Sequence, residues 1–235
     1  MKIGIFADPH YSTVKEIKTR RPSLSAEKIV KLIEIFKNEK VEAIICLGDL
    51  INSEKDRDRD RENLHFVSKL LKSAGLPVYC VMGNHDAEGF TPSEFTEISG
   101  FEAAPFFADL GNTRMVFLDC CYTDDGSAEG IGYRNGNYKW KNSYLPESQI
   151  EYLKEVSAEA DNIILFTHQN LDDRDNPHCI RNAERARAAV ETCGIKTAFS
   201  GHYHKGGKFL INGVRYITLP ALCELDSLPY IIFEL

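Results

Sequence analysis

Short apolar runs recur along the chain, and most are followed by apolar residues at helical spacing. Residues 2–7 (KIGIFA) read as a buried strand. Ile29, Leu32, Ile33 and Phe36 then fall at i, i+3, i+4 and i+7, one face of a helix. Residues 42–48 (EAIICLG) form the next strand, and a helix carrying Leu64, Val67, Leu70 and Leu71 leads to a third at 77–82. Thr91-Pro92-Ser93-Glu94 marks a helix start, with a capping threonine, a proline in the first turn and a glutamate placed to close a capping box. Residues 114–120 (RMVFLDC) are a strand, with 106–108 as a pairing candidate. The Gly-rich polar stretch 122–143 reads as a surface loop. A helix at 146–157, a strand at 162–167, a polar loop, a helix at 183–193 and a strand at 196–200 follow. Asn212-Gly213 between two apolar runs signals a hairpin. Alternating strands and helices closed by a hairpin predict one α/β domain over 1–235 with a mixed sheet.

The 235 residues are 43% hydrophobic and 27% charged, ordinary for a soluble fold. A formal net charge of −7 argues against attachment to long nucleic acid through a basic surface. It leaves room for a phosphate-bearing substrate, because bound metal ions supply local positive charge. Only five mostly apolar residues separate Lys2 from Asp8, too few for a signal-peptide core or a membrane span. The seven cysteines show no CxxC spacing, and Cys46, Cys80 and Cys120 sit in or at the end of apolar runs. Reduced, buried thiols are expected, and with them a cytoplasmic protein without a membrane partner.

Chemistry gathers where the strands end. Asp8 and His10 follow the first strand, Gly48-Asp49 the second, and Gly83-Asn84-His85-Asp86 the third. His168 follows strand 162–167, and His202 and His204 follow strand 196–200. Carboxyl ends of strands are where open α/β sheets build ligand sites. Taken singly, an aspartate after a strand is a turn or cap residue, and a histidine near a core is merely hydrogen-bonded. Together, Asp8, His10, Asp49, Asn84, His168, His202 and His204 offer carboxylate, imidazole and amide donors suited to Mn²⁺, Fe²⁺ or Zn²⁺. Seven donors exceed one tetrahedral ion and suit two ions sharing a carboxylate. Two dications and two aspartates leave about +2, enough to attract phosphate.

The ordered series D-x-H, G-D, G-N-H-D, H and G-H-x-H, spanning Asp8 to His204, resembles the calcineurin-like metallophosphoesterase superfamily. The resemblance implies a sandwich of two mixed β-sheets flanked by helices. It implies that Asp8, His10 and His204 hold one divalent ion and Asn84, His168 and His202 the other, with Asp49 bridging. Manganese is the expected metal, with iron(II) or zinc as alternatives. His85 would act on the scissile phosphate by stabilising the transition state or protonating the leaving oxygen, and Asp86 would orient its ring. Purple acid phosphatases carry a tyrosine three residues after the bridging aspartate; here that position is Asn52, which argues against a tyrosinate-bound ferric ion. More loosely, residues 19–24 (TRRPSL), 200–207 (SGHYHKGG) and 212–224 (NGVRYITLPALCE) are similar to manganese-dependent ADP-ribose/CDP-alcohol diphosphatases and to cyclic-nucleotide phosphodiesterases. The implied activity is hydrolysis of a small phosphodiester or diphosphate, nucleotide-like in character. The alternatives are a phosphomonoesterase, including a protein phosphatase, or a non-catalytic scaffold of the same fold.

Substrate contacts are expected from Arg20, Arg21, His178, Asn182 and Tyr203, the last as a stacking surface for a base. The charged run 54–62 (EKDRDRDRE) has two readings, a row of arginines on phosphate or a solvated helix start, and the second is preferred.

Overall fold

The computed structural model describes residues 1–124, 131–133, 140–172, 178–224 and 226–235. The first half runs β1 (Lys2–Phe6), α1 (Ser25–Asn38), β2 (Ala43–Cys46), α2 (Arg57–Lys72), β3 (Val78–Cys80), α3 (Asn84–Gly89), α4 (Pro92–Ser99), β4 (Phe106–Leu110) and β5 (Thr113–Phe117). Three short strands follow: β6 (Tyr122–Asp124), β7 (Ile131–Tyr133) and β8 (Ser143–Tyr144). The chain then continues through α5 (Glu147–Ser157), β9 (Ile163–Phe166), α6 (Ala183–Thr192), β10 (Thr197–Ser200), β11 (Gly207–Ile211), β12 (Val214–Thr218) and β13 (Ile231–Glu234).

The strands make two main mixed sheets, ordered β13-β1-β2-β3 and β11-β12-β10-β9-β5-β4. In the first, β1, β2 and β3 are parallel and β13 runs antiparallel along β1. In the second, β5, β9, β10 and β12 are parallel, with antiparallel β4 and β11 at the edges. The mixed sheet expected from the alternation is thus two sheets, as the family resemblance implied.

Strand periodicity sorts the core into three layers. In β1 and β2, Ile3, Ile5, Ala43 and Ile45 point between the sheets, while Phe6, Ile44 and Cys46 point outward onto Ile29, Leu32 and Phe36 of α1 and Leu64 and Val67 of α2. Phe106, Phe117, Phe166 and Phe199 face them from the second sheet. They are direct cross-strand neighbours on β4, β5, β9 and β10. Their rings stack in a row with centroids 4.5, 4.9 and 5.6 Å apart. A third layer packs α5 and α6 on the outer face of the second sheet through Ile150, Leu153, Ala186 and Val190.

Local signals account for most boundaries. Thr91 Oγ1 accepts from Glu94 N (3.3 Å) and Glu94 Oε2 from Thr91 N (2.9 Å), the expected capping box. Asn212 and Gly213 turn β11 into β12 with φ of 49° and 81°. In the run 54–62, Asp56 caps α2, and Arg57, Arg59 and Arg61 pair with Glu94, Glu62 and Glu97, so it is a helix start rather than a phosphate contact.

Three features depart from the expected pattern. The stretch 122–143, expected as a loop, contributes β6, β7 and β8 as a small sheet; strands of two or three residues are too short for periodicity to register. Parts of that stretch, and most of the polar loop after His168, lie outside the described residues. Helix α3 is six residues long, also below the length at which a helical repeat shows. Strand β13, an apolar run at 231–233, completes the first sheet. Among the described residues no helix is long and apolar enough to cross a membrane, and all seven cysteines are free thiols.

The phenylalanine row generates a test. Phe166 is fully buried with a ring against each face. Phe166→Ala should therefore cost about 3–5 kcal/mol in urea unfolding, and Phe166→Leu much less. A loss below about 1 kcal/mol for the alanine variant would mean that the row adds little to stability.

Candidate dinuclear metal centre

The strand ends of both sheets meet at one rim. Asp8, His10, Asp49, His168 and His202 are almost fully buried, as is Asn84, the first residue of α3. Asp8, His10, Asp49 and His202 hold left-handed backbone, with φ of 53°, 44°, 51° and 65°. Such conformations cost of order 1–3 kcal/mol each for residues with a Cβ and collect at functional sites. The motif glycines have a steric reason. A Cβ on Gly83 would collide with the Asp49 carboxylate, and one on Gly201 would lie 2.6 Å from Asp8 Oδ2.

Asp49 is the hub. Its Oδ1 accepts from the His85 backbone N–H (2.8 Å), while Oδ2 lies 3.3 Å from His10 Nε2 and 3.4 Å from His168 Nε2. On one side, His10 Nε2 is 3.2 Å from His204 Nε2, and Asp8 Oδ1 lies 3.8 and 3.7 Å from these two nitrogens. On the other, His168 Nε2 is 3.2 Å from Asn84 Oδ1, and donor atoms of Asp49, His168 and His202 fall within 4.8 Å of one another. The side chains thus form two clusters, with Asp49 between them. His168 Nδ1 donates to the Leu47 carbonyl (2.7 Å), which turns Nε2 inward. His202 Nε2 is buried without a hydrogen-bond partner, an orphaned lone pair that a cation would satisfy. This donor set fits two borderline divalent ions.

Burial opposes charge throughout this cluster. It raises Asp8 to about 6. It works against ionisation of Asp49 as well, but His168, His10 and His85 outweigh it and hold that carboxyl well below its usual range. Burial would lower His168, yet Asp49 and Asp8 carry it up to about 9. His10 and His202 are pushed well down by burial.

The remaining expected residues divide. Arg20 reaches the centre: its Nη1 donates to Asn52 Oδ1 (2.8 Å) and lies 3.1 Å from His85 Nε2 and 3.4 Å from His10 Nδ1. Asn52, the position that argued against a tyrosinate, is what holds this guanidinium. His178 and Tyr203 line the cleft over the centre, a space of about 420 Å³. Arg21 does not reach it; its guanidinium turns to Asp226 at the surface. Asn182 is occupied in clipping a turn, accepting from Leu145 N (3.0 Å) and donating to Leu145 O (2.8 Å). The role expected for Asp86 also changes. Its carboxylate accepts from the backbone N–H of Gly83 (2.9 Å), Leu50 (3.2 Å) and Ile51 (3.2 Å), so it pins two loops instead of orienting the His85 ring. His85 Nδ1 has no hydrogen-bond partner, and burial lowers the ring to about 4, so it is neutral at pH 7.

Sequence reasoning missed Lys18, Trp140, Lys205 and Glu224, which also line the cleft, and Cys223, whose thiol sits with His10 and His204. Trp140, the sole tryptophan, was the strongest overlooked signal. It stacks on His178 (centroids 4.8 Å apart) and meets His202 edge-on (5.4 Å).

A two-sheet sandwich that collects such donors at its strand ends is the architecture of a metal-dependent phosphoesterase. Residues 1–206 match the calcineurin-like phosphoesterase family, and the chain belongs to that family. It is similar to the serine/threonine-protein phosphatase CPPED1 of Bos taurus, with 22% identity over 214 residues, 86% of this chain and 66% of that protein. The Homo sapiens CPPED1 is 22% identical over 203 residues, 82% of this chain and 63% of that protein. The chain therefore spans just under two thirds of the length of these relatives. A dimetal phosphatase from Danio rerio superposes with a TM-score of 0.81 at 20% identity, covering 99% of this chain and 91% of that one. Purple acid phosphatase PPD1 from yellow lupin seeds superposes at 0.64 with 14% identity, over 99% of this chain and 47% of that one. At these identities the likeness to solved structures establishes the fold.

The His168 proton generates a test. Below about pH 9 the metal-free chain carries a proton on His168 that a metal ion must displace. Mn²⁺ affinity at the position that includes His168 should therefore rise between pH 7 and 9, by up to about tenfold per unit, and binding there should release a proton. Calorimetric titrations in buffers of different ionisation enthalpy measure both quantities. Flat affinity across this window would show that the His168 proton does not compete with metal.

Proposed function

We propose that the chain hydrolyses a small, nucleotide-like phosphodiester or diphosphate at a centre of two divalent ions. Asp8, His10 and His204 would hold one ion, Asn84, His168 and His202 the other, and Asp49 would bridge them. The observation that carries this reading is the single Asp49 oxygen lying 3.3 Å from His10 Nε2 and 3.4 Å from His168 Nε2. Manganese fits the mixed oxygen and nitrogen donors. Bound there, two divalent ions would polarise the phosphoryl oxygens and make water acidic enough to attack phosphorus at neutral pH.

The chain's own residues do the rest. Arg20, with Lys18 and Lys205 along the cleft, balances phosphate charge in an otherwise acidic protein. His85, 3.1 Å from Arg20 Nη1, faces the phosphate position beside Asp49 and delivers a proton to the leaving oxygen. Asp86 does not supply the anion that would keep this imidazole charged; a bound phosphate does. The rings of Trp140, His178 and Tyr203 form an aromatic wall next to His202, which supports a substrate with a planar base close to the phosphate. The free thiols are in keeping with a reducing, cytoplasmic setting.

A second reading, phosphomonoester hydrolysis including phosphoproteins, draws support from the name of the CPPED1 relatives. A non-catalytic scaffold is disfavoured because the whole donor set and His85 are retained. Turnover by the Mn²⁺-loaded protein, screened on monoesters, cyclic nucleotides and nucleotide diphosphates, separates these readings. Turnover of monoesters alone would remove the diester and diphosphate assignment.

Two variants test the roles. Asp49→Asn should be the most damaging ligand change, lowering the occupancy of both metal positions in elemental analysis; loss of one ion alone would deny the bridge. His85→Ala should keep its metals and lose about 10²–10⁴-fold in turnover. That loss should be smallest for nitrophenyl esters, intermediate for diphosphates and largest for cyclic nucleotides, whose alkoxide leaving group needs a proton. A uniform loss would recast His85 as an electrostatic group, and loss of metal would make it a ligand.

A further inference from the structure

One carboxylate outside the seven donors, Glu224 on the cleft wall, touches the centre through His204. Glu224 lies on the segment after β12, which is sewn to the site by backbone bonds: Ala221 N donates to His204 O (3.1 Å), Leu222 N to Ala7 O (2.9 Å) and Cys223 N to Asp8 O (3.2 Å). This fixes the segment against the loops that carry Asp8 and His204. Glu224 Oε1 then accepts two hydrogen bonds, from His204 Nδ1 (2.7 Å) and from Thr19 Oγ1 (2.8 Å).

Each bond settles a different element. The first fixes the His204 tautomer: the proton stays on Nδ1, and the Nε2 lone pair faces His10 Nε2 at 3.2 Å and Asp8 Oδ1 at 3.7 Å. The second anchors a tight turn. Ile17 and Arg20 exchange both backbone hydrogen bonds at 3.0 Å, Lys18 takes φ 55°, and the turn brings Lys18 and Arg20 into the cleft. Glu224 is separated from Thr19 by 205 positions and from His204 by 20, so neither bond comes from local chain geometry.

We propose that Glu224 is a positioning residue with two arms: it sets the nitrogen that His204 presents to the metal, and it holds the Lys18–Arg20 turn where its cations receive the substrate phosphate. The proposal rests on the dimetal phosphoesterase reading. A carboxylate that merely filled the surface would need neither partner, and Ala in its place would leave both arms unchanged.

Glu224→Ala, Glu224→Gln and Thr19→Val separate the arms in two assays. One is calorimetric Mn²⁺ binding with no substrate present; the other is kinetics with inorganic phosphate as competing ligand. Glu224→Ala should weaken one of the two Mn²⁺ positions by about 10–100-fold, the usual effect of losing a partner behind a ligating histidine. Glu224→Gln should recover most of that loss, because its amide oxygen still accepts. Thr19→Val should leave both Mn²⁺ affinities unchanged while raising KM and the phosphate inhibition constant about tenfold, as for a lost hydrogen bond to a charged acceptor. Unchanged Mn²⁺ binding in Glu224→Ala overturns the first arm. Weakened Mn²⁺ binding in Thr19→Val assigns the control of His204 to the turn and overturns Glu224 as its source. An unchanged phosphate constant in Thr19→Val overturns the second arm. If no phosphoester is turned over but Glu224→Ala still loses one Mn²⁺ position, the phosphoesterase reading fails while the metal-positioning arm stands.

Discussion

Asp49 carries a negative charge at a depth where almost no water reaches, and the surrounding structure answers that charge. His10 and His168 converge on one of its oxygens from different sheets, and the His85 backbone takes the other. An isolated carboxylate so placed would be protonated. Here the imidazoles keep it ionised, and they are held in turn: His168 by the Leu47 carbonyl, and His10 against His204, which Glu224 holds. The left-handed turns at Asp8, His10, Asp49 and His202 persist because strands on both sides over-determine them.

The same constraint explains the small residues of the motifs. Gly83 and Gly201 sit where the carboxylates of Asp49 and Asp8 already occupy the space of a side chain. Asp86 makes the complementary contribution: three backbone N–H groups from two loops end on its carboxylate, so the loop after β2 and the start of α3 cannot move independently. The motif residues therefore divide into those that present donors and those that fix loops, and only geometry distinguishes the two.

Much of this is legible in the sequence alone. The apolar runs at 2–7, 42–48, 77–82, 162–167 and 196–200 became the strands whose ends carry the donors, and all seven donors converge. Short continuous apolar runs marked the central strands β1, β2, β9 and β10, which are buried along nearly their whole length, and helical spacing of apolar residues marked the longer helices. Both signals failed for β6, β7 and β8, which are too short, and for α3, whose six residues are mostly polar. Arginines and amides were harder. Arg20 and Arg21 are adjacent and chemically identical, yet one is steered to Asn52 and the other to Asp226, partners 32 and 205 positions away. Asn182 faces the Leu145 backbone for the same kind of reason. Glu224 ends the stretch 212–224 quoted for its resemblance, yet it was given no role, because a single glutamate after a strand has no pattern and its part exists only through Thr19 and His204.

The donors also record how the two sheets depend on each other. Asp8, His10, Asp49 and Asn84 belong to the sheet of β1, β2 and β3; His168, His202 and His204 belong to the sheet of β9 and β10, and the pair His10–His204 spans 194 positions. Contacts of such separation carry a large loop-closure entropy and form only when the intervening chain is already compact. A half-formed molecule holding only the first sheet would offer one imidazole and three oxygen donors, a weak and unselective set for a transition metal. Cations gripping both sets would then behave as a non-covalent clasp across the sandwich, closing a long loop in the way a cross-link does. The residues that perform chemistry in the finished molecule would double as the fastening that holds its two layers together.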